Sequence, residues 1–133
     1  MKSKMEILDR GRKIWELPNG KSRREDGPAV EFDSGTKEWY INGRLHREDG
    51  PAEEYGGDKA WYINGRLHRE DGPAIIDADG RKEWFINGQL HREDGPAIEY
   101  EDGDKEWCLD GKRYTEQQHK VEIRDRKLKK ILV

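Results

Sequence analysis

The heptapeptide His-Arg-Glu-Asp-Gly-Pro-Ala occurs three times, at residues 46–52, 68–74 and 91–97, each time after Asn-Gly-x-Leu. A fourth copy, from Asn19 to Ala29, is eroded at its start, where Lys-Ser-Arg-Arg replaces Arg-Leu-His-Arg. Units open at Asn19, Asn42, Asn64, Asn87 and Asp110, spaced 23, 22, 23 and 23 residues apart. Residues 10–15, Arg-Gly-Arg-Lys-Ile-Trp, repeat the end of a unit as seen at 79–84. Self-similarity at this period marks a chain of supersecondary units, each too small to bury its apolar side alone, which gain a continuous core only by stacking.

Each unit carries two turn signals. Asn-Gly after an aromatic run marks a type I′ hairpin, in which both central residues take positive φ. The second turn ends at Gly35, Gly57, Gly80 or Gly103. Between them lie a short strand such as Lys37–Ile41 and a longer one from Arg44 to Tyr55, kinked at Gly50-Pro51. Proline cannot donate to a ladder, so the Glu-Asp-Gly-Pro step is expected to be a bulge that bends every long strand alike. Strand alternation puts Trp39 and Ile41 on one face with Tyr40 on the other. It does the same for Trp61 and Ile63 against Tyr62, Trp84 and Ile86 against Phe85, and Trp107 and Leu109 against Cys108. Only 32% of residues are hydrophobic and 41% are charged, so the core must be thin and aromatic. Trp15, Trp39, Trp61, Trp84 and Trp107 are the expected core. The row Tyr40, Tyr62 and Phe85 is either a second half-core or the lining of an open groove flanked by Arg44, Arg66 and Gln89.

After Tyr114 the hairpin pattern stops. Thr115 and Gln118 form a capping box, and Val121, Leu128, Ile131 and Leu132 fall near one helical stripe. A helix is expected from about 116 onward, as a cap over the open end of the array; the alternative is a basic amphipathic helix that docks on a partner or a membrane. The net charge of −3 is unevenly placed: residues 112–133 hold eight Lys or Arg and three Asp or Glu, leaving −8 on the rest. The organisation read from the sequence is a tail over 1–8, a hairpin array over 9–114 and a basic helix over 115–133. The array divides into a half unit at 9–18, units at 19–41, 42–63, 64–86 and 87–109, and a partial unit at 110–114.

The aromatic-x-x-Asn-Gly step, Arg44 followed by His46, the Gly-x-Ala and the turn glycine together resemble the MORN repeat family over about residues 9–111, most of all its shorter variant repeats. Where that family has His-Gly-x-Gly, this chain has His-Arg-Glu-Asp-Gly-Pro, a wording similar to that of repeat proteins from bacteria, phages and large DNA viruses. The resemblance implies an elongated, curved antiparallel sheet that binds proteins or lipid head groups, and does not imply catalysis. In a phage-like setting it also implies an inhibitor, antitoxin-type or anti-defence role.

Residue chemistry leads the same way. His46, His68 and His91 recur one unit apart, roughly 10 Å for two strand spacings, too far for two of them to share one Zn²⁺. Each is expected to make the same structural hydrogen bond in its own repeat, so no metal is assigned. The Arg-Glu-Asp triplets at Arg24, Arg47, Arg69 and Arg92 recur in every unit, whereas an active site is singular. Asp49 is expected to organise the turn into Gly50 and Arg47 to pair across units. No Ser or Thr has a triad-like setting, the glycines are turn glycines and not a phosphate cradle, and Cys108 replaces an aromatic of the strand. With a single cysteine there is no intrachain disulfide; with no apolar leader or span, a soluble cytoplasmic protein is expected. No cofactor is expected, and the balanced charge argues against nucleic acid.

The expected function is therefore a non-catalytic binding module with a protein partner. Candidate contact residues are Tyr40, Tyr62, Phe85, Arg44, Arg66, Arg47, Arg69 and Arg92. The alternative drawn from the same Arg and aromatic recurrence is a phosphate-bearing small ligand, a nucleotide messenger or a lipid head group.

Overall fold

The computed structural model describes residues 4–8, 12–16 and 28–132. The opening of the eroded unit, with Asn19-Gly20 and the triplet at Arg24, lies outside these residues. The chain begins with β1 (Lys4–Leu8) and β2 (Arg12–Glu16), then β3 (Val30–Glu31) and β4 (Lys37–Glu38). Beyond Trp39 it continues as β5 (Tyr40–Ile41), turns at Asn42-Gly43 and returns as β6 (Arg44–Leu45). The next unit supplies β7 (Glu53–Tyr55), β8 (Asp58–Ala60), β9 (Tyr62–Ile63) and β10 (Arg66–Leu67). After it come β11 (Ile75–Ile76), β12 (Lys82–Glu83), β13 (Phe85–Ile86) and β14 (Gln89–Leu90). The series ends with β15 (Ile98–Glu99), β16 (Lys105–Leu109), β17 (Lys112–Tyr114) and α1 (Glu116–Leu132).

The strands form one open antiparallel sheet in the order β1-β2-β3-β4-β7-β8-β11-β12-β15-β16-β17, while β5-β6, β9-β10 and β13-β14 stand apart as two-stranded ribbons. The protein is mainly β, an elongated array of hairpins closed at one end by a helix, as its repeat predicts. The Asn-Gly turns have the expected type I′ signature, with φ of 54° at Asn42 and 74° at Gly43, repeated at Asn64, Asn87 and Asp110 and the glycines after them. Residues 4–8, expected to be a tail, instead form β1 and pair with β2 from Lys4↔Glu16 to Leu8↔Arg12. That strand satisfies backbone groups along β2 that would otherwise have formed a bare edge.

The Glu-Asp-Gly-Pro step is larger than the bulge expected of it. The Trp39 N–H donates to Ala52 O at 2.7 Å, and Trp39 O accepts from the His46 N–H at 2.9 Å. One tryptophan thus faces both ends of an excursion over residues 47–51. A ladder cannot stay in step across such an insertion, so the main sheet stops at Glu38 and the hairpin tip leaves it as the β5-β6 ribbon. The same two bonds recur at Trp61 and Trp84. Successive ribbons are joined to one another: the Arg47 N–H donates to Tyr62 O at 3.1 Å and the Gly65 N–H to Leu45 O at 2.8 Å.

Register sorts the two sheet faces. Cross-strand partners on one face run Lys13, Glu31, Lys37, Glu54, Lys59, Ile76, Lys82, Glu99 and Lys105. Opposite charges alternate along this row except at Ile76, and such pairs favour the observed register. The other face carries Ile14, Val30, Ile75 and Ile98 among Glu38, Glu53, Glu83 and Glu106.

The core differs from the indole seam expected. Trp15, Trp39, Trp61, Trp84 and Trp107 are all only partly buried. Side chains fully removed from solvent are instead Ala29, Ala52, Ala74 and Ala97, the last residue of each Gly-Pro-Ala, and Cys108 and Leu109 beneath the helix. Alanine recurs where the excursion rejoins the sheet between two neighbouring strands: the Ala52 N–H donates to Ala60 O at 2.9 Å while Ala52 O receives Trp39. A single-layered sheet has no second layer to cover an indole completely, and the ring stays half-wet.

α1 starts as its capping box predicts. The Gln118 N–H donates to Thr115 Oγ1 and the Thr115 N–H to Gln118 Oε1, each at 3.1 Å. The helix packs on β16 and β17. His119, its buried residue, brings Nε2 to 2.7 Å from Arg92 O, and Arg126 reaches Asp110 at 3.0 Å.

Candidate functional site

Three copies of one side-chain arrangement stand along the face that bears the alternating charges. The guanidinium carbons of Arg47, Arg69 and Arg92 lie 3.9 Å from the ring centroids of Trp39, Trp61 and Trp84. Each Arg Nε donates to the Asp two residues on, at 3.0 Å. Each Nη1 donates to the carbonyl of the loop proline at 3.0–3.1 Å, and Arg92 Nη1 also reaches Glu99 at 3.1 Å. The loop glycine lets the guanidinium in: a Cβ on Gly50, Gly72 or Gly95 would stand 2.8–2.9 Å from the arginine Cζ. The arginine is held between an indole and a bare stretch of backbone, with a cation–π contact on one side and charge-assisted hydrogen bonds around its rim. Apart from the Arg92–Glu99 contact these side-chain bonds stay within one loop, and across units it is the Arg47 backbone N–H that bonds, to Tyr62 O.

The histidines link neighbouring units. His46 Nδ1 accepts from the Asn64 N–H at 2.9 Å, His68 Nδ1 from Asn87 at 3.0 Å and His91 Nδ1 from Asp110 at 2.9 Å. Each imidazole makes the same bond, as expected, but to the turn of the following unit and not within its own. With Nδ1 accepting, the neutral ring carries its proton on Nε2, which in His46 and His68 lies 3.6 Å from Glu48 and Glu70.

Loops at a fixed interval leave a cleft between each pair. One has Trp61, Ile63 and His68 as its floor, with residues 47–51 and 69–71 as its walls, and encloses about 740 Å³. The next repeats this between residues 69–72 and 91–94 over Trp84 and Ile86, with the same volume. Trp and Ile share a face, as alternation requires, and that face holds the clefts. Their rims are carboxylates: Asp49, Asp71 and Asp94 are 87–88% exposed, and Glu48 and Glu70 are nearly as open. Each triplet has two acids and one arginine, and the arginine is engaged beneath, so the surface presented is negative.

Tyr40, Tyr62 and Phe85 are half-buried on the opposite side. The Tyr40 hydroxyl donates to Glu38. Burial, that hydrogen bond and the charge of Glu53 push the Tyr40 phenol above its ordinary value. Burial and Glu53 do the same to Tyr62. Glu53 stands directly across from Glu38; burial and that like charge raise its carboxyl. Burial likewise raises Glu83, aided by Asp77 and Glu106 and opposed by Arg81. Arg44 and Arg66 stand across from Ile41 and Ile63, and not across from Tyr40 and Tyr62. The stem of Arg44 passes the next turn, 3.5 Å from where a Gly65 Cβ would stand, the Arg66 Cβ comes within 3.8 Å of the same point at Gly88, and Gln89 within 3.8 Å of it at Gly111. The tyrosines of the row are accompanied by Glu38 and Glu53.

Cys108 is fully buried; burial and then Glu106 raise its thiol, which disfavours the nucleophilic thiolate. Among the described residues no three His, Cys, Asp or Glu are grouped to hold a metal ion, and no helix is long and apolar enough to cross a membrane. Sequence reasoning missed the exposed acids Glu48, Glu70, Asp49, Asp71 and Asp94 as surface chemistry. Their signal was the two-to-one ratio of acid to base in each loop. No protein-family model matches the chain, and no curated protein matches it as a relative.

Proposed function

We propose that this chain is a non-catalytic protein-binding module of the MORN-like repeat type, which grips a partner protein along the row of clefts between its Arg-Glu-Asp-Gly loops. The observation that carries this reading is the repetition itself. Two clefts of equal volume, with matching indole, isoleucine and imidazole linings and acidic rims, stand side by side on the sheet. A surface so built holds an extended partner at several equivalent points. Aromatic floors within polar rims are the anatomy of protein interfaces. Chemistry that recurs in every unit supports binding over catalysis, as does the burial of Cys108.

A phosphate-bearing ligand needs free guanidinium groups. Arg47, Arg69 and Arg92 are tied to their aspartates, and the carboxylates around them repel phosphate. A protein partner with basic groups fits the rim better. Inhibition of a host defence protein, or an antitoxin-type role, is the biological form that the family resemblance suggests for such binding.

Photo-crosslinking tests the reading. A crosslinking residue at Glu70 or Glu93 is expected to capture a protein of discrete mass from the native host, and the same residue at Tyr55 is not. Equal capture from all three positions, or none from any, would overturn it. A thermal shift with nucleotides or phosphoinositides would restore the phosphate alternative.

A further inference from the structure

The half of α1 beyond Arg126 offers a second surface. The docked half is held through His119 and by Arg126 at Asp110. Past it, Leu128, Ile131 and Leu132 are 48%, 76% and 83% exposed. Spaced i, i+3 and i+4, they form one stripe. Successive 100° steps place that stripe across the helix from His119 and Arg126, with Arg124 beside it and Lys120 and Lys127 along one border. Lys120, Arg124 and Lys127 are exposed. Residues 112–133 hold eight Lys or Arg against three acids, on a chain of net −3.

We propose that this face docks in the clefts of a second copy of the chain, joining copies helix to sheet. The proposal rests on the cleft row being an interface, as argued above, and names one occupant for it. Charge complements charge: a basic helix face meets rims of Glu48, Asp49, Glu70 and Asp71. Spacing agrees as well. Clefts recur every two strands, roughly 10 Å apart, and helix residues seven apart, such as Lys120 and Lys127, are separated by about 10.5 Å along the axis. Lys120 and Lys127 reach successive acidic rims, and Leu128 and Ile131 cover the indole and isoleucine of a cleft floor. Because the two surfaces differ, the contact is heterologous, so copies add head to tail and the assembly grows past a dimer.

Sedimentation over a concentration series tests this on the full chain. The expected result is a weight-average mass that rises from monomer through dimer and beyond, and falls again at high salt as exposed charges are screened. Lys120→Glu with Lys127→Glu should remove association, and so should Glu48→Lys with Glu70→Lys, each weakening it by more than roughly tenfold. Circular dichroism melts check that both variants stay folded. Mixing the two variants should restore association as alternating copies, because the reversed helix of one meets the reversed cleft of the other while the unaltered helix and cleft also pair. A chain that stays monomeric at all concentrations, variants that associate unchanged, or a mixture that fails to pair would each overturn the inference. Capture of a different protein by the Glu70 crosslinker, with the chain itself monomeric, would sink this inference and leave the binding-module reading standing.

Discussion

The unit around Trp61 and the unit around Trp107 start from nearly the same residues and end in different structures. Lys-Ala-Trp-Tyr-Ile splits at its tryptophan into β8 and β9, whereas Lys-Glu-Trp-Cys-Leu runs unbroken as β16. Tyr62 and Ile63 are half-exposed; Cys108 and Leu109 are fully buried. The indole does not cause the break. What differs is the partner: Trp61 faces the excursion that begins after His68, whereas Trp107 pairs directly with Tyr114 of β17, after which the chain turns into α1. Among the described residues no guanidinium lies over Trp107. The helix then covers what the loops leave open elsewhere, and the strand residues beneath it become core.

This contrast predicts unequal costs for equivalent truncations. Leu109→Ala, under the helix, should lower unfolding free energy by about 3 kcal/mol, the cost of a core cavity. Ile63→Ala at the matching open position should cost about 1 kcal/mol, since less area is lost. Urea denaturation measures both, and equal losses would erase the distinction drawn here. In the same native protein an alkylating reagent should leave Cys108 unlabelled.

The interior units depend on arginine and glycine in a way the terminal one does not. Gly72→Ala places a Cβ 2.9 Å from the Arg69 guanidinium, so the stack on Trp61 must shift, at a cost of about 2 kcal/mol. On an Arg69→Ala background the same change should cost far less. A double-mutant cycle showing additivity would deny the coupling.

A smaller effect concerns the bond between units. His68→Ala removes the acceptor for the Asn87 N–H and should cost about 1 kcal/mol. His68→Asn, whose Oδ1 occupies the place of Nδ1, should recover most of it. Equal melting curves for the two variants would show that the imidazole acts by packing alone.

The smallest expected effect lies on the tyrosine side. Glu53 has a raised carboxyl pKa in the folded chain, so its ionised form opposes folding. The penalty is present once pH exceeds the folded value and vanishes below the ordinary glutamate range. Glu53→Gln should therefore stabilise at neutral pH by about 0.5 kcal/mol, the scale of one like-charged cross-strand pair, and the gain should fade on acidification. A gain independent of pH would remove Glu38–Glu53 repulsion as its cause.

Much of the array was legible because its signals are local. Asn42-Gly43 needs only positive φ at two adjacent residues, and Thr115 with Gln118 needs only one turn of helix, so both follow from neighbouring residues. The site was less legible. Arg47, Arg69 and Arg92 were candidate contact residues; their guanidinium groups lie on Trp39, Trp61 and Trp84, because the loop glycine leaves room for them and the adjacent aspartate holds them. Arg44 and Arg66 were expected to rim the tyrosine row and instead stand across from Ile41 and Ile63.

Taken alone, the amino-acid order determined the period, the hairpin turns, the sharing of a face by Trp and Ile, and the terminal helix. These depend on backbone preferences and on periodicities within a few residues of each other. Tertiary structure alone decided how far each tryptophan is buried, where the strands part and which charges meet solvent. Those outcomes depend on what the neighbouring unit places across a strand 18 or more residues away, as His46 does at Asn64, and a distance in space of that kind is not carried by local pattern.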